Sequence, residues 1–465
     1  MARTLNSLIE DFRTAIMGSE KSFTTGSINR AIFMLSIPMI LEMVMESLFA
    51  IVDIFFVSRV SVNAVATIGL TESVIFLVFA IAIGLSMAAT AMVARRTGEN
   101  KPEDASEAAW QAILIASVFS MLISIGGFFF AKDILALMGA SPEVVEEGYG
   151  YTKWMLGGNI TIMLLFLINA VFRGAGDASL AMRTLWFANG INIVLDPILI
   201  FGLGPIPAFG VEGAAIATTI GRGSAVIYQL YNIFYKSNAI KIRVHHLKPN
   251  FKVMKKLIEV SLGGMGQYLI GTASWLFLVR IVSMFGSDAI AGYTISMRII
   301  MFSILPSWGF SNAAATLVGQ NLGAGQPERA EKSVWVCAKY NMFFLLVVSI
   351  IFFILAEPIV SLFNAEGLVT TYAVQALHYI TTGYIFFAYG MVISQAFNGA
   401  GDTRTPTIIN FFAYWLFQLP LAYMLAVTLK MGPGGAFLAV AISIVFIATS
   451  FVLAFRRGKW KKVKI

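Results

Sequence analysis

Three carboxylates inside one apolar stretch are the residues of this sequence best placed to do chemistry. Glu42, Glu46 and Asp53 interrupt residues 32–57, IFMLSIPMILEMVMESLFAIVDIFFV. Separated by four and seven residues, they fall within about 40° of one another on a helix. An acidic side chain at mid-membrane costs about 2.5–3.5 kcal/mol on insertion scales, so all three must face protein or a wet cavity. A second set follows at Asn192 and Asp196, spaced to share one helix face, with Pro197 directly after. Proline removes a backbone donor and loosens the helix, so Pro197, like Pro38 in the first stretch, is a candidate kink or hinge.

Asp53 and Asp196, the amide oxygen of Asn192 and a hydroxyl such as Thr218 suit Na⁺ or a shared proton. Neighbouring carboxylates do not both ionise cheaply. The alternative is a buried hydrogen-bond network that only fixes helix packing. Glu46 and Glu42 would attract a cationic substrate or relay protons, or else line a cytoplasmic vestibule as solvated residues, the reading that suits Glu42 better. Glu72 either acts in transport or pairs with Arg298 or Arg59. His378 reads as a packing residue or a proton relay. Arg222 and Arg280 stay unassigned.

The elements that position these groups are membrane spans. The chain has 465 residues, 58% of them hydrophobic and 12% charged, about half the charge of a soluble protein. Apolar segments of helical length recur at 32–57, 64–92, 107–130, 149–171, 181–202, 212–235, 255–284, 288–317, 330–355, 371–396, 405–429 and 434–455. The expected fold class is an all-α polytopic membrane protein of twelve transmembrane helices in two six-helix lobes.

Lysine and arginine set the orientation. Both termini and the even-numbered connections carry Arg3, Arg13, Lys21, Arg30, Arg95, Arg96, Arg173, Arg183, Arg329, Arg404 and the cluster Lys236–Lys256. The odd connections carry Arg59, Lys132, Lys153 and Lys430. The positive-inside rule places both termini in the cytoplasm. The net charge of +8 is thereby accounted for as topology, and no nucleic-acid partner is expected. The expected organisation is a cytoplasmic segment at 1–30, interfacial and amphipathic or else frayed; a first lobe at 31–235; a basic linker at 236–254; a second lobe at 255–456; and a basic tail at 457–465.

The lobes repeat. FRGAGD at 172–177 recurs as FNGAGD at 397–402, an offset of 225 residues. The same offset pairs Gly84 with Gly309, Gly98 with Gly323 and Gly158 with Gly383. An even number of spans per repeat makes the lobes parallel, related by a pseudo-two-fold axis along the membrane normal. The repeat is also an internal control. It pairs Glu42, Glu46 and Asp53 with Gln267, Gly271 and Leu278, and Asp196 with Leu421. Intramembrane acid belongs to the first lobe, which is expected to handle a cation.

The paired GAGD sequences read as tight turns in which Asp177 and Asp402 cap the next helices, rather than phosphate loops. His245 and His246 read as solvated linker residues. No nucleophile elbow, HExxH, P-loop or Cys/His cluster occurs, so enzymatic activity, an organic cofactor and a site for ATP are not expected.

Taken together, the two six-span repeats, Pro38 and Asp53 in the first span, and the paired GAGD turns resemble the multidrug and toxic compound extrusion (MATE) family. VGQNLGAGQPERA at 318–330 adds to the likeness, as does Asn192, Asp196 and Pro197 followed by GVEGAAIAT at 210–218. The resemblance covers residues 25–455. It implies efflux of small organic, amphipathic and often cationic compounds in exchange for H⁺ or Na⁺, by a monomer in the bacterial inner membrane that needs no ATPase subunit. In the prokaryotic branch with a first-lobe cation site, the coupling residues correspond to Asp53, Asn192, Asp196 and Thr218. Glu46 and Asn169 fall where that branch lines its drug cavity. Relatives in the wider superfamily flip lipid-linked sugars, which is the alternative activity.

Overall fold

The computed structural model describes residues 5–18, 23–236, 239–363 and 366–465; Arg3, Lys21 and the side chains of Leu5 and Leu8 lie outside this description. Twelve spans form two lobes. The first lobe holds Ile28–Val57, Val62–Gly98, Pro102–Phe129, the broken pair Pro142–Gly157 and Asn159–Ala175, Ala178–Phe201 and Val211–Tyr231. The second holds Phe251–Ser283, Ser287–Gly323, Pro327–Ile354, the pair Leu368–Thr382 and Tyr384–Ala400, Arg404–Thr428 and Pro433–Arg456. Among the described residues nine spans are long and apolar enough to cross a membrane by composition alone, and the tenth span, bent by 59° at Gly383, makes another. The first and sixth fall short of that measure, and both carry charged side chains into the core of the bundle.

Glycine marks the repeat physically. Gly158 and Gly383 break the fourth and tenth spans at matching points. Gly176 and Gly401 close the GAGD turns at φ 92° and 86°, a region open to glycine without a Cβ penalty. Asp177 accepts the Leu180 amide at 3.1 Å, and Asp402 accepts that of Thr405 at 3.1 Å, so both act as the expected helix caps.

The lobes meet on the side that carries the termini. There Ile32, Leu35 and Met39 of the first span share a core with Leu317, Val392, Phe397 and Phe451 of the second lobe. In return, Leu257 and Val260 of the seventh span enter the first-lobe core. Among the described residues, the hydrogen bonds that join the lobes directly all lie on this side. Gln320 donates to the Gly174 carbonyl, its repeat mate Arg95 donates to that of Ala400, and Thr316 donates to that of Arg173. On the far side the first span leaves Leu48, Ile51 and Phe55 exposed. The bundle is closed at the terminal side.

Two glycines of the repeat set how closely it shuts. A Cβ at Gly309 would stand 2.7 Å from the Ile40 backbone nitrogen, and one at Gly84 2.6 Å from the Ser261 carbonyl oxygen. Backbone cannot yield as a flexible side chain can. Gly309→Val is therefore expected to disfavour this closed arrangement by about 1–3 kcal/mol. A cysteine placed at the buried Ala94, with Cys337→Ser, should become reactive to a membrane-impermeant maleimide from the terminal side; unchanged protection would refute it.

The linker packs on the first lobe. It folds onto the third span, where Gln111 donates to the Lys248 carbonyl at 2.9 Å and Ser106 accepts the Lys241 amide at 3.1 Å. His246 is buried, not solvated. Its Nδ1 accepts the Arg243 amide, so its proton sits on Nε2, 3.0 Å from Glu103. The ring thereby sits between the linker backbone and Glu103 of the third span. His378 is partly exposed, with its ring against Phe353 and its Nε2 3.1 Å from the Phe353 carbonyl.

Candidate functional site

Backbone geometry brings the fifth and sixth spans together before any charge is considered. Gly202 and Gly210 turn the chain at φ 80° and 58°, and Phe209 and Gly210 donate back to the carbonyls of Leu199 and Ile200. Gly213 and Gly221 have no side chain to hold the sixth span off: a Cβ there would fall 2.4 Å from the Leu199 carbonyl and 2.7 Å from that of Ala188. That close approach assembles Asn192, Asp196 and Thr218. Asn192 Nδ2 donates to Asp196 Oδ1 at 3.2 Å and to Thr218 Oγ1 at 3.1 Å. All three side chains are buried, and two oxygens, Asn192 Oδ1 and Asp196 Oδ2, have no hydrogen-bond partner among the described residues. Buried acceptors left unpaired are costly, and these two could accept a further hydrogen bond or a cation. Pro197 and Pro38 both sit inside unbroken helices.

Asp53 is half-buried in the far half of the first span, and among the described residues it makes no hydrogen bond or ion pair. Its charge acts on Asp196, and Glu72 and Arg222 act on it in turn. Tyr151 of the fourth span, 4% exposed, lies within the field of Asp53, Glu72, Asp196 and Arg222 together. Nothing in the sequence singled it out, because an aromatic residue in an apolar run carries no signal of its own.

The other two carboxylates of the stripe are not free. Glu42 is not a solvated cavity residue: it is 1% exposed, and its Oε1 accepts from Arg173 at 2.7 Å and Asn169 at 3.0 Å. Asn169 is held in the same network. It is fully buried and accepts from Gln229 at 2.7 Å, forming a hydrogen-bonded seam through the lobe. The physical reason is desolvation: a carboxylate at that depth is tolerable only beside a counter-charge. The repeat supports this, because the mates of Glu42 and Arg173 are Gln267 and Asn398, which hydrogen-bond to each other at 2.9 Å. The second lobe makes the same seam from neutral amides. Glu46 is partly exposed and shared between Asn189, 3.2 Å away, and Arg222, 3.5 Å away. Charge at residue 173 against neutral asparagine at 398 was the available clue to the first pairing, and it was read only as topology.

A family model, MatE, matches residues 38–198 and again 265–424, one copy in each lobe. The chain belongs to the MatE family. Its relatives include a probable multidrug resistance protein NorM of Thermotoga maritima, 27% identical over 440 residues, covering 94% of both chains. The FAD transporter of Shewanella oneidensis is 24% identical over 408 residues, covering 87% of this chain and 90% of that one. A MATE structure in its straight conformation superposes with a TM-score of 0.88 at 27% identity, covering 94% of this chain and 98% of that one. The bent conformation gives 0.86, covering 94% and 97%. As a MatE member the chain is a multi-pass membrane protein built as two lobes, as the repeat implied.

Proposed function

We propose that this chain is a multidrug efflux antiporter that exports small organic, amphipathic, mostly cationic compounds across the plasma membrane in exchange for H⁺ or Na⁺. One observation carries the reading: Glu42 and Glu46 face arginines, whereas Asp53 and Asp196 have no ion-pair partner among the described residues. Relatives named as multidrug resistance proteins support the substrate class. The positive-inside rule makes the terminal side cytoplasmic, so inter-lobe hydrogen bonds gathered on that side support an outward-facing carrier. In that state the coupling ion reaches Asp53–Asp196 from outside, offsets their charge and displaces the bound cation outward. Closure of the far side and parting of the terminal side then release the ion to the cytoplasm. Where each exchange moves one net positive charge inward, a potential of 100 mV offers about 2.3 kcal/mol, enough to concentrate the substrate roughly fiftyfold.

Ethidium uptake into proteoliposomes, with ΔpH and ΔNa⁺ imposed separately, tests the reading. One of the two gradients is expected to drive accumulation. Uptake indifferent to both would remove antiport as the mechanism.

A further inference from the structure

Arg222 enters the first lobe from the sixth span with its side chain 8% exposed. Its Nη2 stands 3.5 Å from Glu46, a long contact for an ion pair. Its guanidinium carbon lies 5.3 Å from the Phe49 ring and 5.6 Å from that of Phe166. Nε and Nη1 are buried without a hydrogen-bond partner. A guanidinium offers five donors in a rigid fork and stays charged at any physiological pH. Here two of its nitrogens are idle. On the first span, Asp53 follows Glu46 by seven residues, about two turns on the same face. Its carboxylate is idle as well, and it lies within the field of Arg222. One cation thus stands beside two carboxylates in series, loosely held by the first and not bonded to the second.

We propose that Arg222 is the internal cation of the first lobe, pairing with Glu46 while Asp53 holds the coupling ion and with Asp53 once that ion has left. The inference rests on the antiport reading and adds to it the means of unloading. An emptied site would hold Asp53 and Asp196 as two neighbouring negative charges away from bulk water, and such a pair retains its ion. A tethered arginine offsets one of those charges without being lost, which lets the ion go. The cluster also holds Glu72 on the second span, itself within the field of Arg298 of the second lobe, Tyr151 on the fourth and Asp196 on the fifth. In the second lobe the mates of Arg222 and Glu46 are Ile447 and Gly271. The device is confined to the lobe with the carboxylates.

Substrate-for-substrate exchange does not require the coupling ion to leave, whereas net transport does. Purified Arg222→Met is therefore measured in proteoliposomes for both activities with radiolabelled ethidium, beside Arg222→Lys. Net gradient-driven transport by Arg222→Met should fall at least about tenfold while exchange falls no more than about threefold, and Arg222→Lys should recover most of the net rate. Undiminished net transport, an equal loss of both activities, or failure of lysine to restore coupling overturns the proposal. A wild-type chain with exchange but no gradient-driven transport removes the antiport reading instead.

Discussion

Cells producing Asp53→Asn or Asp196→Asn at normal surface levels should lose ethidium efflux by about a hundredfold, equivalent to roughly 2.7 kcal/mol of lost coupling. The substitution keeps shape and hydrogen-bonding capacity but removes the charge that attracts the coupling ion. Both residues lie in the far half of the first lobe, Asp53 without an ion pair and Asp196 with one oxygen unpartnered. Their second-lobe mates are Leu278 and Leu421, so the fold itself has no need of acid there. Normal efflux by either variant would show that ion coupling does not pass through this pair.

Breaking the Glu42–Arg173 pair should act on stability rather than coupling. Arg173→Met leaves a carboxylate 1% exposed with no counter-charge, a change expected to cost about 3–5 kcal/mol. Detergent-solubilised protein should show it as a large fall in thermal midpoint and in yield. The double variant Glu42→Gln with Arg173→Asn copies the Gln267–Asn398 pair of the second lobe, which hydrogen-bonds at 2.9 and 3.2 Å. It should recover most of the lost stability and keep efflux. A double variant as unstable as the single one, or stable yet without efflux, would mean that the charges at this seam serve transport.

Some of this organisation was legible from the residues alone. Apolar runs interrupted by polar turns fix the spans, because a backbone in lipid must satisfy its hydrogen bonds within each helix. An offset of 225 residues fixes the two lobes, and two aspartates without second-lobe counterparts fix where acid is tolerated for a purpose. The Asn192–Asp196 pairing also follows from a four-residue spacing, since neighbouring turns of one helix bring such side chains together.

What the sequence did not determine is which of its carboxylates are neutralised. Arg173 is 131 residues from Glu42 and Arg222 is 176 from Glu46, and no local spacing rule spans such separations. In one dimension Glu42, Glu46 and Asp53 form a uniform acidic stripe. Tertiary packing divides it by depth: Glu42 is locked to Arg173, Glu46 is loosely held by Arg222, and Asp53 is left free. The burial of His246 was out of reach for the same reason, because it depends on the surface of the third span. Local sequence set the spans and the chemistry available to them. Only the assembled lobes, through desolvation and the counter-charges brought into reach, decided which charge is left to do work.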